Sequence, residues 1–301
     1  MSLSSYTVSI QSSDVAKIRD LLEEGGFEFG SRPYAHFSAK KGKLNVTVYE
    51  KGPKVLVQGK ETEDFVRFTL EPLILGEAKL GYEEVNEPEM FEPHFGVDES
   101  GKGDFFGPLV IAGVYTDAAS TRALLDAGVM DSKRITSSAK IAKLSKIIRS
   151  TSGVVYEVVS IGPEKYNEMY SSFKNLNRLL AWGHAKVIHL LADQVPDCPR
   201  ALSDQFARKE VLERELARHG VNVQLQQRTK GESDVAVAAA SILARERFVS
   251  WIDQSSERSG VDIPLGAGPH VLGAARALVD AHGEGILPKV AKMHFKTTKE
   301  V

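Results

Sequence analysis

Residues 96–107 read G-V-D-E-S-G-K-G-D-F-F-G and run straight into an apolar stretch, P-L-V-I-A-G-V-Y, over 108–115. The apolar run has strand character and the glycines permit a tight reversal, so the segment is expected to form a strand end, a glycine turn and a return strand. Asp98 and Glu99, side by side at the entrance to the turn, are badly placed for a core. Adjacent carboxylates repel and are costly to bury unless they share a counterion. A divalent metal ion is the natural counterion. Three features favour it over a plain solvated acidic turn: apolar residues beyond the turn, glycines that let a ligand reach the backbone, and Lys102 between them.

The same window comes close to a phosphate-binding loop, since Gly96, Gly101 and Lys102 have the G-x-x-x-x-G-K spacing. The match fails at Gly103, where the hydroxyl that would hold Mg²⁺ is missing. Asp98 and Glu99 would also put negative charge where the phosphates must lie. A dinucleotide fingerprint fails as well, because glycines 101, 103 and 107 are spaced G-x-G-x-x-x-G.

A chain of 301 residues, 42% hydrophobic and 26% charged, can build one large domain or two smaller ones. Its lone Cys198 excludes an internal disulfide and a cysteine-rich zinc site, and fits a reducing compartment. The N-terminal stretch lacks a basic region followed by an apolar core, and no run approaches ~18 apolar residues. A cytoplasmic protein with no membrane partner is expected.

The net charge of −2 hides an uneven distribution. Arg32, Lys40, Lys41, Lys43, Lys51, Lys54 and Lys60 face the single acid Glu50, a local excess of +6. Around them, the periodicity of residues 1–76 predicts a small α/β module: a strand over 6–10 and a helix over 14–24 with Val15, Ile18, Leu21 and Leu22 on one face. Short strands over 35–39, 44–49 and 55–58 then form an antiparallel meander, and a second helix covers 62–75. Such a sheet has one face under helices and one open, and strand alternation would display several lysines on or around the open face, where they suit a duplex. Residues 76–94 hold six glutamates and two prolines with weak hydrophobic periodicity, which reads as a linker.

Beyond residue 95 strands and helices alternate, as in α/β proteins. Helices are expected over 118–127, 137–149 and 174–191, and strands over 154–161, 200–203 and 221–226. An alanine-rich helix over 234–252 is apolar almost all round at its start and should be buried. Glu232 and Asp234 flank its entrance, and either acid there would interact favourably with the helix dipole. His184 and His189 are five apart on a helix, a poor spacing for joint metal ligation. His294 sits in the basic stretch K-V-A-K-M-H-F-K and is given no catalytic role.

The order of the motifs is more specific than any one of them. G-V-D-E-S-G-K-G-D-F-F-G-P-L-V, then Asp131-Ser132-Lys133, Ser203-Asp204-Gln205-Phe206, Lys230-Gly231-Glu232-Ser233 and A-A-A-S-I-L-A-R ending at Arg245 strongly resemble the prokaryotic type 2 ribonucleases H, and within them the HIII branch. The resemblance covers essentially the whole chain. It implies an α/β, ribonuclease H-like catalytic domain over 95–301, preceded by a TATA-binding-protein-like α+β substrate-binding domain over 1–76 and a linker over 77–94. It also implies that Asp98, Glu99, Asp204 and Glu232 are the catalytic, metal-binding carboxylates, with Asp98 bridging. Glutamate at the fourth position is typical of that branch, although Asp234 stays open as the alternative. Gly101, Lys102 and Gly103 match the glycine-flanked basic motif that contacts the RNA strand near the cut, while Lys133 and Lys230 are placed to contact phosphates.

The implied activity is metal-dependent endonucleolytic hydrolysis of the RNA strand of RNA/DNA hybrids, with two Mg²⁺ or Mn²⁺ ions, leaving 5′-phosphate and 3′-hydroxyl ends; a monomer is expected. Four carboxylates suit two hard cations. Successive strand residues face opposite ways, so Asp98 and Glu99 are expected to serve one cluster only if the chain twists out of the strand at Ser100 and Gly101. Two other classes compete: a duplex-binding protein with a decayed nuclease fold, opposed by the four retained carboxylates, and a nucleotide hydrolase, supported only by the defective phosphate loop.

Overall fold

The computed structural model describes residues 3–77, 80–81, 83–129, 132, 135, 137–229 and 231–301, without the side chains of Glu83 and Glu232. The chain divides into two compact units, Met1–Pro88 and Glu89–Val301.

In the first unit, β1 (Ser5–Ser9), β2 (Glu28–Gly30), β3 (Ala35–Lys41), β4 (Leu44–Tyr49) and β5 (Lys54–Gln58) form an antiparallel sheet in the order β1-β5-β4-β3-β2. The expected meander is β3 to β5. The edge strand β2 has three residues, too few for a period-two signal to reveal it. Phe37, Ala39, Val46, Val48, Val55 and Val57 alternate toward one face. There they bury Ile18 and Leu22 of α1 (Asp14–Glu24), Phe65 of α2 (Thr62–Phe65), and Val66 and Leu70 of the π-helical continuation Val66–Leu75. The other face is open, with cross-strand rows Lys40–Asn45–Gln58 and Ser38–Thr47–Leu56, and Lys54 opposite Tyr49. Lys41 does not join that face; its ammonium donates to the Gly25 carbonyl at 2.7 Å. A short helix α3 (Glu83–Asn86) closes the unit.

The second unit begins inside the stretch read as a linker: Met90 is buried in its core, and the Arg200 guanidinium donates to the Glu89 carbonyl. Its sheet comprises β6 (His94–Ser100), β7 (Leu109–Thr116), β8 (Val155–Ile161), β9 (Arg200–Asp204) and β10 (Gln224–Arg228), in the order β10-β9-β6-β7-β8. β7 runs antiparallel to β6 and β8, whereas β9 and β10 run parallel to β6. Helices cover both faces. On one side, α9 (Val235–Ser259) packs with α4 (Ala118–Asp126), α5 (Ser138–Ser150) and α10 (His270–His282) against Val110, Ala112 and Val114. On the other, α7 (Leu176–Gln194) packs with α6 (Pro163–Phe173) and α8 (Lys209–Arg218) against Phe95, Val97, Leu109 and Ile111. The last α-helix, α11 (Leu287–Val290), precedes the C-terminal segment, which includes a 3-10 turn over Lys296–Lys299.

The alanine-rich start of α9 crosses β6 at Gly96, where an added Cβ would sit 2.3 Å from the Ala236 carbonyl carbon and the Val237 nitrogen. Small residues on both partners let strand and helix approach that closely, so the helix entrance is held against the strand that carries Asp98 and Glu99.

Candidate active site

Strand register decides which carboxylates meet. β6 and β9 pair in parallel with Phe95 opposite Ala201 and Val97 opposite Ser203. One residue further on, Asp98 and Asp204 therefore stand at the same level at the carboxyl ends of neighbouring strands. β10 continues the row, pairing Arg228 with Asp204, and the chain then turns through Gly231–Ser233 into α9. The Gly231 amide donates to Asp204 Oδ1 at 3.3 Å, which brings the backbone around Glu232 beside Asp204. Lys133 and Lys230, expected at phosphates, lie outside the described residues, as do Asp131 and the side chain of Glu232.

The predicted twist at Ser100 and Gly101 does not occur within the ladder. β6 keeps regular register with β7 through Ser100, pairing Asp98 with Ala112 and Glu99 with Ile111. Alternation then sends the two acids to opposite faces, Asp98 toward the α9 side and Glu99 toward α7. Asp98 is 7% exposed, accepts from the Glu99 amide at 2.8 Å and is hydrogen-bonded by Ser241 of α9. Burial, and then the charge of Glu99, pushes its carboxyl up to about 7. Burial acts on Glu99 in the same sense, but the hydrogen bond and charge of His184, with those of Lys102, outweigh it and hold the carboxyl below its ordinary value. His184 Nε2 lies 3.0 Å from one Glu99 oxygen and Lys102 Nζ 3.4 Å from the other. Among the described residues no group of three or more His, Cys, Asp or Glu side chains is arranged to hold a metal ion.

Asp234 is the N-cap of α9. Its side chain accepts from the amides of Ala236 at 2.9 Å and Val237 at 3.2 Å, and both oxygens lie 3.0 Å from Nε2 of the buried His94. Oδ1 is thus occupied by two amides and His94, while Oδ2 has His94 alone among the described residues, so this carboxylate is held as a helix cap.

The turn after β6 contains glycines of two kinds. Gly101 has φ +86°, and a Cβ there would lie 2.2 Å from the Pro108 carbonyl oxygen, so the fold itself requires glycine. Nothing lies within 4 Å of the corresponding position at Gly103, which leaves open space above the backbone. The Ser132 hydroxyl sits 2.6 Å from Ser241 Oγ, and the Arg245 guanidinium donates to the Ser132 carbonyl. Two residues of the A-A-A-S-I-L-A-R motif thereby anchor Ser132 to α9.

Spacing speaks only against joint ligation by His184 and His189, yet His184 is fully buried against Glu99 and against Phe206, with ring centroids 4.6 Å apart. The signal was present: Leu180, His184, Val187, Ile188 and Leu191 recur at helical spacing on the buried face of α7. The basic C-terminal stretch is not all at the surface. Lys292 within it is wholly buried, and His294 stacks on Tyr170 at 4.2 Å.

Known proteins similar to this chain are found both by sequence and by structure. The family model described as Ribonuclease HII matches residues 95–298, and one described as Domain of unknown function (DUF3378) matches residues 9–72. A protein of Chlamydia abortus named Ribonuclease HIII is 43% identical over 94% of this chain and 93% of its own length. A namesake from Protochlamydia amoebophila is 41% identical over 98% and 96%. Among solved structures, that of Bst-RNase HIII in complex with Mn²⁺ superposes with a TM-score of 0.67 at 28% identity, covering 99% of this chain and 97% of that one.

Proposed function

The chain belongs to the ribonuclease HIII family, and from that premise we propose that it hydrolyses the RNA strand of RNA/DNA hybrids endonucleolytically, with two divalent metal ions, leaving 5′-phosphate and 3′-hydroxyl ends. The observation that carries this reading is the placement of Asp98 and Asp204 at one level on parallel strands, beside a glycine turn with open space at Gly103.

The donor set fits a divalent cation. Asp98 is buried, no ion pair reaches it among the described residues, and burial makes its charged form costly. Hard cations take carboxylate oxygens; Asp98, Asp204 and Glu232 are proposed holders of Mg²⁺ or Mn²⁺, and Glu99, which the regular strand turns toward α7, is proposed to join them around the strand end, where β6 stops at Ser100 and the chain turns at Gly101. Bound there, such ions would neutralise charge on the scissile phosphate and make an attacking water a better nucleophile.

The remaining work falls to the chain's own residues. His184 and Lys102 fix the two Glu99 oxygens. Backbone groups of Gly101 to Gly103 can approach a 2′-hydroxyl, the group that distinguishes RNA from DNA, since no Cβ obstructs Gly103. Lys102, Lys133 and Lys230 are proposed phosphate contacts. The open face of the first unit, with Lys40 and Lys54, is proposed to add affinity for the duplex within a substrate-binding domain over 1–76.

No helix among the described residues is long and apolar enough to cross a membrane. We assign the protein to the cytoplasm as a monomer, in line with its single unpaired Cys198.

Incubating end-labelled RNA/DNA hybrid, RNA duplex and DNA duplex with the full chain, with Mg²⁺, with Mn²⁺ and with chelator, tests the reading. Cleavage of the hybrid's RNA strand alone, dependent on metal and yielding 3′-hydroxyl ends that a polymerase extends, is the expected outcome. Metal-independent cleavage, or none, would sink it.

A further inference from the structure

We propose that Lys292 is a positioning residue for the Gly101–Gly103 turn, its buried ammonium setting the backbone path by which that turn meets the RNA strand. The inference rests on the hybrid-binding reading given above.

The loop between β6 and β7 turns three carbonyls away from solvent, and buried carbonyls need donors. Lys292 Nζ supplies all three, donating to the carbonyl oxygens of Asp104 at 3.0 Å, Phe106 at 3.2 Å and Gly107 at 2.8 Å. The side chain has no solvent exposure and is walled by the rings of Tyr166 and Phe248, with centroids 5.7 and 5.9 Å from Nζ. Burial pulls the ammonium down to about 7 against the raising effect of the Asp104 charge, so keeping a cation there is costly. Three acceptors match the three N–H bonds of an ammonium, which neither an apolar residue nor a single-donor side chain can replace.

The backbone around Lys292 makes the same connection. Lys292 N donates to the Phe105 carbonyl at 2.8 Å, Gly107 N donates to the Val290 carbonyl at 2.9 Å, and Phe106 bridges Ala291. On the other side of the loop, Asp104 Oδ1 accepts from Gly266 N at 2.6 Å and Phe105 N donates to the Gly266 carbonyl at 2.9 Å. Residues 104–107 are therefore clamped between 266 and 290–292, while Gly103, the position with open space above it, is the last residue before the clamp. Releasing the three carbonyls would let Gly101 to Gly103 shift relative to Asp98 and Glu99. Misplacement of about 1 Å costs up to about a hundredfold in rate.

The test compares the full-length protein with Lys292→Met, which fills the volume without donors, and Lys292→Gln, which keeps two N–H bonds. Steady-state cleavage of the hybrid is measured together with binding of hybrid and of DNA duplex in chelator. A folded Lys292→Met should show KM for the hybrid raised roughly tenfold or more, and a binding preference for hybrid over DNA duplex reduced by a similar factor. Lys292→Gln should recover part of both. A folded Lys292→Met with unchanged KM and preference overturns the inference. So does failure of both variants to fold, which would make Lys292 a core residue only. If the unaltered chain neither binds nor cleaves the hybrid, the functional reading falls and this inference falls with it.

Discussion

Nε2 of His184 lies 3.0 Å from Oε2 of Glu99, and the imidazole that holds this carboxylate is wholly buried in the layer between α7 and the sheet. The pair ties a helix on one face of the sheet to an acid at the carboxyl end of the central strand. It also explains how Glu99 can be buried beside Asp98 and still keep its carboxyl below the ordinary range.

Removing that hold should loosen Glu99 without removing it. His184→Leu is expected to lower hybrid turnover about 10- to 100-fold, the usual cost of losing a partner that orients a ligand, while hybrid affinity in chelator stays near that of the parent. Undiminished turnover at saturating metal would show that Glu99 needs no such support.

Asp98→Asn should abolish cleavage and stabilise the metal-free protein. The folded chain holds the Asp98 proton to about 7, against an ordinary value of 3.8, because of burial and then the charge of Glu99. Folded protein thus binds more protons across that interval, so stability from this group is present at low pH and lost as pH rises through about 7. Thermal unfolding in chelator is expected to show a larger gain for the variant at about pH 8 than at about pH 5. A gain independent of pH would remove burial of the charge as its cause.

Glu232 and Asp234 should separate by phenotype. Asp234 caps α9 and pairs with buried His94, so Asp234→Ala should cost at least the 0.5 to about 2 kcal/mol of a lost cap, read as a lower unfolding midpoint in urea. Glu232→Gln should reduce turnover severely with little change in that midpoint. Rates and midpoints in the reverse order would make Asp234 the fourth metal ligand.

Lys40 and Lys54 stand on the open face of the first unit's sheet, where each can contribute one phosphate contact. Each alanine substitution should flatten the dependence of log K on log salt by about 0.7 to 0.9, with turnover at saturating hybrid unchanged. Slopes identical to the parent's would assign the face another purpose.

Much of this protein could be read along the chain because its signals are local. Alternation in 44–49 and 55–58, the Ile18 and Leu22 stripe, and the Gly-rich turn after Glu99 each state their element within a few residues, and the two strands and the helix form with bounds within one position of those expected. The order of the carboxylate-bearing motifs likewise sufficed to point to the family. Sequence could not show which acids share a face, since that depends on register: Asp98 stands level with Asp204 because β6 pairs with β9 in parallel, and Glu99 turns toward α7 because β6 stays regular through Ser100. Nor could it show that Lys292 is buried, because a lysine among lysines looks solvated until three carbonyls from 104–107, some 185 residues away, are folded around it. Local pattern reports what one segment prefers; partners distant in sequence are chosen only when packing brings their unpaired groups together, as it does for Glu99 with His184 and for Lys292 with the carbonyls of 104–107.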